Sequence, residues 1–463
     1  AGDGLRADRR ATRRAPRGGA CVNPPFDGAW CLVSREYPPH SGGGIGTYAK
    51  TFARLLADRG IPVVVLTAHA GPRAEDDDSG ITVIRLPLNA DDRWASPHPS
   101  IDTADMTSLW RTLGPHSVFS KQIGDLVPEL LDRFGVRVIE GCDTGAPLWH
   151  LLDDRSQAKW SAEVRVITHV HSPSAWIEWL NRRLEQSTTM HELQRMEREQ
   201  TRASDAVVTP SFGMQRWLAE HWGVHADVIR YPFDACDAST PSEGGVLFVG
   251  RLEYRKGIDT LLRAWPRVDT DATLTIAGRD VIDYRTGSAI GEGMLAGLDR
   301  VNALGPQPPE RVTQLQADAS VVAVPSPDDN FPFTCIEAMA AGRVVVAANR
   351  GGAAEMIEDG VSGLLFEPYD ERSLSAAIER ALHVDGDERH AMETAARMRI
   401  STLCDAQRVI SERLSHASAR NSALILNDHR ESGTPIELRT AAEPTNPPPR
   451  PLWKRLLRHI SNR

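Results

Sequence analysis

Residues 30–67 read WCLVSREYPPHSGGGIGTYAKTFARLLADRGIPVVVLT, and this stretch decides the fold. WCLVS (30–34) is a short apolar run of strand character, followed by a glycine-rich turn. Ile45, Tyr48, Phe52, Leu55 and Leu56 then recur at helical spacing, which predicts a helix over about 46–59. PVVVLT (62–67) is β-branched and reads as a second strand. A strand, a helix and a strand in so short a span form a βαβ unit, and a βαβ unit implies a parallel sheet.

Outward from this unit the rhythm continues, with strands expected at 81–86, 136–140, 164–170 and 205–209. The stretch 88–135 breaks it with Pro97, Pro99, Pro115, Trp94 and Trp110, and reads as an insertion. DACDASTPSEGG (234–245) reads as a linker, after which alternation restarts. Strands are predicted at 245–250, 272–278, 319–326 and 343–348, and helices near 257–266, 309–317, 334–341 and 371–382. The fold class is therefore α/β, in two halves each large enough to be a domain. Boundaries are set at 29–238 and 239–400, with a C-terminal helix over 401–420 placed to pack back on the first domain.

The 463 residues are 41% hydrophobic and 25% charged, as in an ordinary globular protein of two domains. A net charge of −9 argues against nucleic-acid binding, which needs a basic surface. The six cysteines are scattered without C-x-x-C spacing, which suggests neither a disulfide framework nor a zinc site and fits the cytoplasm. Residues 1–28 read as a disordered basic leader without the apolar centre of a secretory signal. Residues 421–463 combine a proline-rich spacer with LWKRLLRHI (452–460), whose apolar and basic residues separate onto two helical faces. Such a segment suits peripheral contact with an anionic membrane, or docking on the protein body.

Four places carry possible chemistry. SGGGIGTYAK (41–50) puts glycines before a helix start, where free N–H groups suit a phosphate, and a tight turn explains them equally well. In VGRLEYRKG (249–257), Arg251 and Lys256 follow a strand end and suit a diphosphate, although two solvated cations would look the same. PSPDDNFPFTCIEAMAAG (325–342) puts Asp329 on a loop and Glu337 in the first helical turn, where acids can hold sugar or ribose hydroxyls. The backbone of Asn330, Phe331, Pro332 and Phe333 can line that pocket, while Thr334 and Glu337 also have capping-box spacing. In THVHSPS (168–174), His169 and His171 end a strand and share a face, where a histidine can hydrogen-bond a sugar or serve simply as a structural core residue. The acidic run EDDD (75–78) reads as a solvated turn rather than a metal site.

Taken together these segments resemble the family 4 retaining glycosyltransferases, or glycosyl transferases group 1. The likeness rests on VGRLEYRKG, on DNFPFTCIEAMAAG (329–342) and on GGAAEMIEDGVSGLLFEP (351–368), and covers roughly residues 30–400. It implies the GT-B fold, two Rossmann-like domains facing across a cleft, and transfer of a sugar from a nucleotide-diphosphate sugar to a hydroxyl acceptor. The donor implied is a UDP- or GDP-sugar, with no metal or other cofactor, and the acceptor a sugar, glycan or lipid-linked molecule. The resemblance matches Arg251 and Lys256 to the diphosphate pair and Glu337 to the ribose acid. It matches His171 to the histidine near the donor sugar, and Gly43 and Gly44 to the loop facing the diphosphate. Asp329 stands where the family usually has Glu, one methylene longer. A phosphorylase of the same fold, and a sugar-binding scaffold with a decayed site, are the alternatives.

Overall fold

The computed structural model describes residues 28–39, 43–88, 100, 103–160, 163–183, 186–233, 244–283 and 286–418. The leader, Trp94, Pro97, Pro99, most of the predicted linker and the basic segment 452–460 lie outside the described residues.

The first half contains β1 (Ala29–Val33), β2 (Val63–His69), β3 (Ala74–Asp77), β4 (Thr82–Pro87), β5 (Val136–Cys142), β6 (Arg165–His169), β7 (Ala206–Thr209) and β8 (Asp227–Val228). They form one sheet in the order β3-β4-β2-β1-β5-β6-β7-β8. All pairings are parallel except β3 with β4. The second half contains β9 (Val246–Val249), β10 (Leu274–Ala277), β11 (Val301–Gly305), β12 (Val321–Val324), β13 (Val344–Ala348) and β14 (Leu364–Phe366). Its sheet runs β11-β10-β9-β12-β13-β14, and every pair is parallel. The central strands are continuous apolar runs, as VVAV in β12 and VVVAA in β13, because a parallel sheet is covered on both faces.

The order locates the ligand ends. In the first sheet the chain leaves β1 toward β2 and later returns to β5 on the other side; in the second it leaves β9 toward β10 and returns to β12. Open α/β sheets bind ligands at the carboxyl ends of strands flanking such a reversal. Here those ends are Ser34–Glu36 and Cys142–Asp143 in one half, and Gly250–Arg251 and Pro325–Asp329 in the other.

The stretch read as an insertion is the helical layer between β4 and β5. Helices Ala104–Leu113 and Pro115–Phe134 meet at Gly114, whose φ of 81° turns the chain. Pro115 occupies the start of the second helix, where its missing N–H has no partner to lose, so it initiates rather than breaks. Val118, Phe119, Ile123, Val127 and Leu130 of that helix are fully buried against β1, β2 and β4.

The acidic run is likewise no turn: Glu75, Asp76 and Asp77 belong to the antiparallel edge strand β3. Asp76 pairs with the buried Arg85 at 2.5 Å, Glu75 with Arg133 at 2.5 Å, and Asp78 accepts from Tyr37 at 3.1 Å. These charged pairs also blunt the sheet edge.

The last helix among the described residues, Ala406–Ser418, packs on helix Gly44–Ala57. Its Val409, Ile410 and Leu414 join a core that holds Phe52 and Leu56 from the first half and Phe331, Ile336 and Met356 from the second. Arg59 reaches it through Gln407 Oε1 at 2.6 Å, and Arg413 enters the first half to pair with Glu140.

Candidate active site

In the second half, Arg251 follows β9 after Gly250, and its side chain is 55% exposed, 3.2 Å from Glu253. Gly257 turns the chain with φ 70°, and a Cβ there would lie 2.0 Å from the Pro325 carbonyl oxygen. Only glycine lets the Lys256 turn sit this close to the end of β12. Lys256 Nζ then donates to Asp329 Oδ2 at 2.6 Å. Burial pulls the Lys256 ammonium below its ordinary value, and Asp329 opposes that shift. Burial likewise disfavours the Asp329 carboxylate, but the charges of Lys256 and Arg255 outweigh it and hold its pKa below the usual range.

Arg255, absent from the sequence reading, is buried beside them. Its Nη2 donates to Glu253 Oε1 at 2.8 Å, and its Nη1 lies 4.0 Å from Asp329 Oδ1. Its backbone N–H donates to Asn181 Oδ1 of the first half at 2.9 Å, and Asn181 Nδ2 donates to Glu253 Oε2 at 3.3 Å. Arg251, Glu253, Arg255, Asp329 and Lys256 therefore form one chain of charge.

Glu337 stands apart from that chain. The helix is Phe333–Ala340 with Pro332 at its N-cap and no side-chain cap bond, so Glu337 lies in the second turn rather than the first. Thr334 and Glu337 accordingly form no capping box. Glu337 accepts from Gln316 Nε2 at 3.1 Å, and burial raises its carboxyl above the ordinary value.

The loop between Asp329 and Phe333 joins the halves. Asn330 Nδ2 donates to the carbonyl oxygens of His171 at 2.8 Å and Val170 at 3.1 Å. Ser211 Oγ donates to Asn330 Oδ1 at 2.5 Å, so the amide is fully engaged across the interface. Gly352 N–H donates to the Asp329 carbonyl at 2.7 Å, and a Cβ on Gly352 would lie 1.7 Å from the Asn330 oxygen. The GG pair at 351–352 thus clamps the loop from below. Phe331 is buried, Pro332 caps the helix, and the Phe333 ring stacks on Tyr231 at 4.9 Å.

In the first half, helix Gly44–Ala57 starts with Gly43 at its N-cap, extended at φ −162° and without a side-chain cap bond. A Cβ on Gly44 would come 3.1 Å from Phe333 Cδ2, and one on Gly43 would come 2.5 Å from Glu36 Oε2. These glycines let the helix start approach both the opposing half and an acid at the end of β1.

His169 and His171 are buried and stacked, centroids 4.1 Å apart. Asp143 accepts the backbone N–H groups of His171 at 2.7 Å and Ser172 at 3.1 Å, which fixes this strand-end loop. Burial drives both imidazoles far below their ordinary pKa, so both are neutral. His171 Nδ1 lies 2.6 Å from Tyr231 Oη, and His169 Nδ1 lies 3.4 Å from Glu140 Oε1. A small pocket is lined by Ser34, Ile45, Tyr48, Glu140, His169 and His171.

The fold thus connects Gly44 to Phe333, Phe333 to Tyr231 and Tyr231 to His171, and separately links Arg251 to Lys256 and Asp329. Tyr231, Glu140, Arg413, Glu36 and Arg255 are the members that sequence reasoning missed. Arg255 sits inside a recognised motif and was overlooked there; the others have no local pattern to mark them. Among the described residues no group of three or more His, Cys, Asp or Glu is arranged to hold a metal.

Two Rossmann-like domains whose strand reversals face one cleft define a GT-B glycosyltransferase. The profile of Glycosyltransferase Family 4 matches residues 42–232, and that of Glycosyl transferases group 1 matches residues 240–399. The chain belongs to family 4 of the glycosyltransferases. It is 28% identical over 411 residues to a glycogen synthase of Mycobacterium tuberculosis, covering 82% of this chain and 91% of that one. It is 28% identical over 376 residues to a D-inositol 3-phosphate glycosyltransferase of Acidothermus cellulolyticus, covering 73% and 78%. Its fold matches sucrose-phosphate synthase from Thermosynechococcus elongatus with a TM-score of 0.63 at 21% identity, over 85% of this chain and 100% of that one. It also matches Anabaena HepE, solved in complex with UDP-glucose, with a TM-score of 0.60 at 18% identity, over 84% and 100%.

Proposed function

We propose that this enzyme transfers a sugar from a nucleotide-diphosphate sugar to a hydroxyl acceptor with retention of configuration and without a metal. The observation that carries the reading is the placement of Arg251 and Lys256 at one strand reversal, with the uncapped helix start at Gly43 and Gly44 in the opposing half. Two cations and a helix N-terminus together suit a departing nucleoside diphosphate, whose charge grows as the glycosidic bond breaks. Lys256 would exchange Asp329 for a phosphate oxygen as the donor enters.

In this reading His171 meets the donor sugar, Glu337 holds the ribose, and Asp329 orients Lys256 while facing the sugar. The backbone of Asn330 to Phe333 forms the wall of the donor site. The acceptor hydroxyl attacks from the face the diphosphate leaves, and a phosphate oxygen takes its proton. The protein supplies orientation and charge stabilisation. A UDP- or GDP-sugar is the donor class, and UDP-glucose is the first probe because HepE binds it. The acceptor is a sugar, glycan or lipid-linked molecule at the cytoplasmic side, with residues 452–460 making peripheral membrane contact.

Thermal stability against UDP-, GDP-, ADP- and dTDP-sugars tests the donor site. A donor at a hundredfold excess over its Kd stabilises by about 2.7 kcal/mol. One donor should raise the melting temperature, and Arg251→Ala and Glu337→Ala should abolish the shift. Absence of a shift with every donor would remove the reading. Loss of anionic-vesicle binding on deleting residues 445–463 tests the membrane contact, and retained binding refutes it.

A further inference from the structure

Tyr231 lies in YPF (231–233), three residues after β8 at the edge of the first sheet, and has no role in the reading above. It is 4% exposed, and aromatic rings hold it on several sides. It stacks on His171 at 5.5 Å with 18° between the planes and on Phe333 at 4.9 Å with 17°. Tyr48 lies at 5.3 Å and Phe331 meets it edge-on at 5.8 Å. A ring fixed in this way holds its hydroxyl at one place, 2.6 Å from His171 Nδ1.

The direction of that hydrogen bond decides what His171 can do. A neutral imidazole has one N–H, so the nitrogen that accepts determines which nitrogen donates. If Nδ1–H donated to the phenol oxygen, the buried phenol proton would lack an acceptor, because His171 is the only partner of this hydroxyl among the described residues. Leaving a buried donor unmade costs about 1–3 kcal/mol. The opposite direction satisfies the hydroxyl and Nδ1 together and leaves the Nε2–H to face the pocket. His171 Nε2 makes no hydrogen bond among the described residues, and the side chain lines the pocket beside Tyr48 and Glu140.

We propose that Tyr231 is a positioning residue, whose O–H donates to His171 Nδ1 and fixes the imidazole in the Nε2–H tautomer. His171 is then a hydrogen-bond donor toward the cleft and not a base. This inference rests on the reading of His171 as a donor-site residue, but its central measurement does not.

The test is long-range 1H–15N correlation NMR of the full chain labelled with 15N-histidine, with His171 assigned by the signals missing from His171→Asn. The expected wild-type pattern at neutral pH is a protonated Nε2 and an unprotonated Nδ1. Tyr231→Phe keeps the ring and removes the hydroxyl, and should convert this pattern to a mixture of tautomers. With UDP-glucose, or whichever donor stabilises the protein, Tyr231→Phe should lower kcat about 3–10-fold with KM little changed, the worth of one neutral hydrogen bond. A protonated Nδ1 in the wild type, or an unchanged pattern in folded Tyr231→Phe, overturns the proposal. If Tyr231→Phe does not fold, the wild-type spectrum decides alone. Donor-induced stabilisation is measured on the same samples: the expected tautomer without any donor shift rejects the donor-site reading and leaves the Tyr231 assignment standing.

Discussion

The two halves bring opposite kinds of polar chemistry to the cleft. The second half offers charge near its surface: Arg251 is 55% exposed and Lys256 23%, both on a short turn after β9. The first half offers buried, neutral or internally compensated groups: His169, His171, Glu140, Asp143 and Glu197 are all 5% exposed or less. One half presents positive charge close to solvent, and the other buries its polar groups in internal pairs. The difference explains why the second half reads as a local motif while the first half depends on residues far apart in sequence.

The largest effect expected from this difference is at the floor of the first half. Arg413, from the terminal helix, pairs with Glu140 where both are 2% exposed, and Tyr48 Oη donates to the same carboxylate at 2.8 Å. Arg413→Met should lower unfolding free energy by about 3–5 kcal/mol in urea titrations, since it leaves Glu140 buried without its charge partner. Adding Glu140→Gln should recover part of that loss. A single variant as stable as the wild type would mean the terminal helix is only an appendage.

A smaller, pH-dependent effect separates the halves further. Glu197 accepts from the backbone N–H of Ser174 at 2.8 Å and of Gly145 at 3.0 Å, and burial, with the nearby Asp143, pushes its carboxyl up to about 8. Burial pushes Asp143 up to about 6. A raised acid binds its proton more tightly in the folded state. Its contribution is therefore complete below the unfolded value of 4.5 and is lost as pH rises toward 8. The buried histidines work in the other direction, losing stability as pH falls below about 6.5. Between pH 6.5 and 8 the Glu197 effect stands clear. Wild-type stability should fall by about 1–2 kcal/mol over that interval, and Glu197→Gln should remove most of the slope. Parallel curves for the two proteins would deny that Glu197 is protonated in the native state.

The smallest effect belongs to the second half. Thr334 has the spacing of a helix cap but stands inside the helix, after Phe333. Thr334→Ala should change stability by less than about 0.5 kcal/mol. A loss near 1 kcal/mol, typical of a removed cap, would restore the capping box.

Much of the architecture was legible before any coordinates. The apolar strands β9, β12 and β13 fall where their β-branched runs are, because both faces of a parallel sheet are buried. Arg251, Lys256, Asp329 and Glu337 could be singled out because each lies within a few residues of a strand end or helix start. The helices Ala104–Leu113 and Pro115–Phe134 were not legible, because prolines and tryptophans were read as breaks when Pro115 starts a helix and Trp110 is core. The acidic strand β3 was missed for a related reason: its identity comes from pairing with β4, and four acidic or small residues carry no strand signal of their own.

By itself, the sequence determined the α/β class, the two halves and the cation pair, since each is written in local periodicity or in residues adjacent along the chain. Tertiary structure alone decided that Arg413 reaches Glu140, that Asn330 bonds to the His171 carbonyl and that Tyr231 meets His171 Nδ1. Those contacts join residues 60 to 273 positions apart. Their partners are chosen by packing and by the need to satisfy every buried polar group, which no local pattern records.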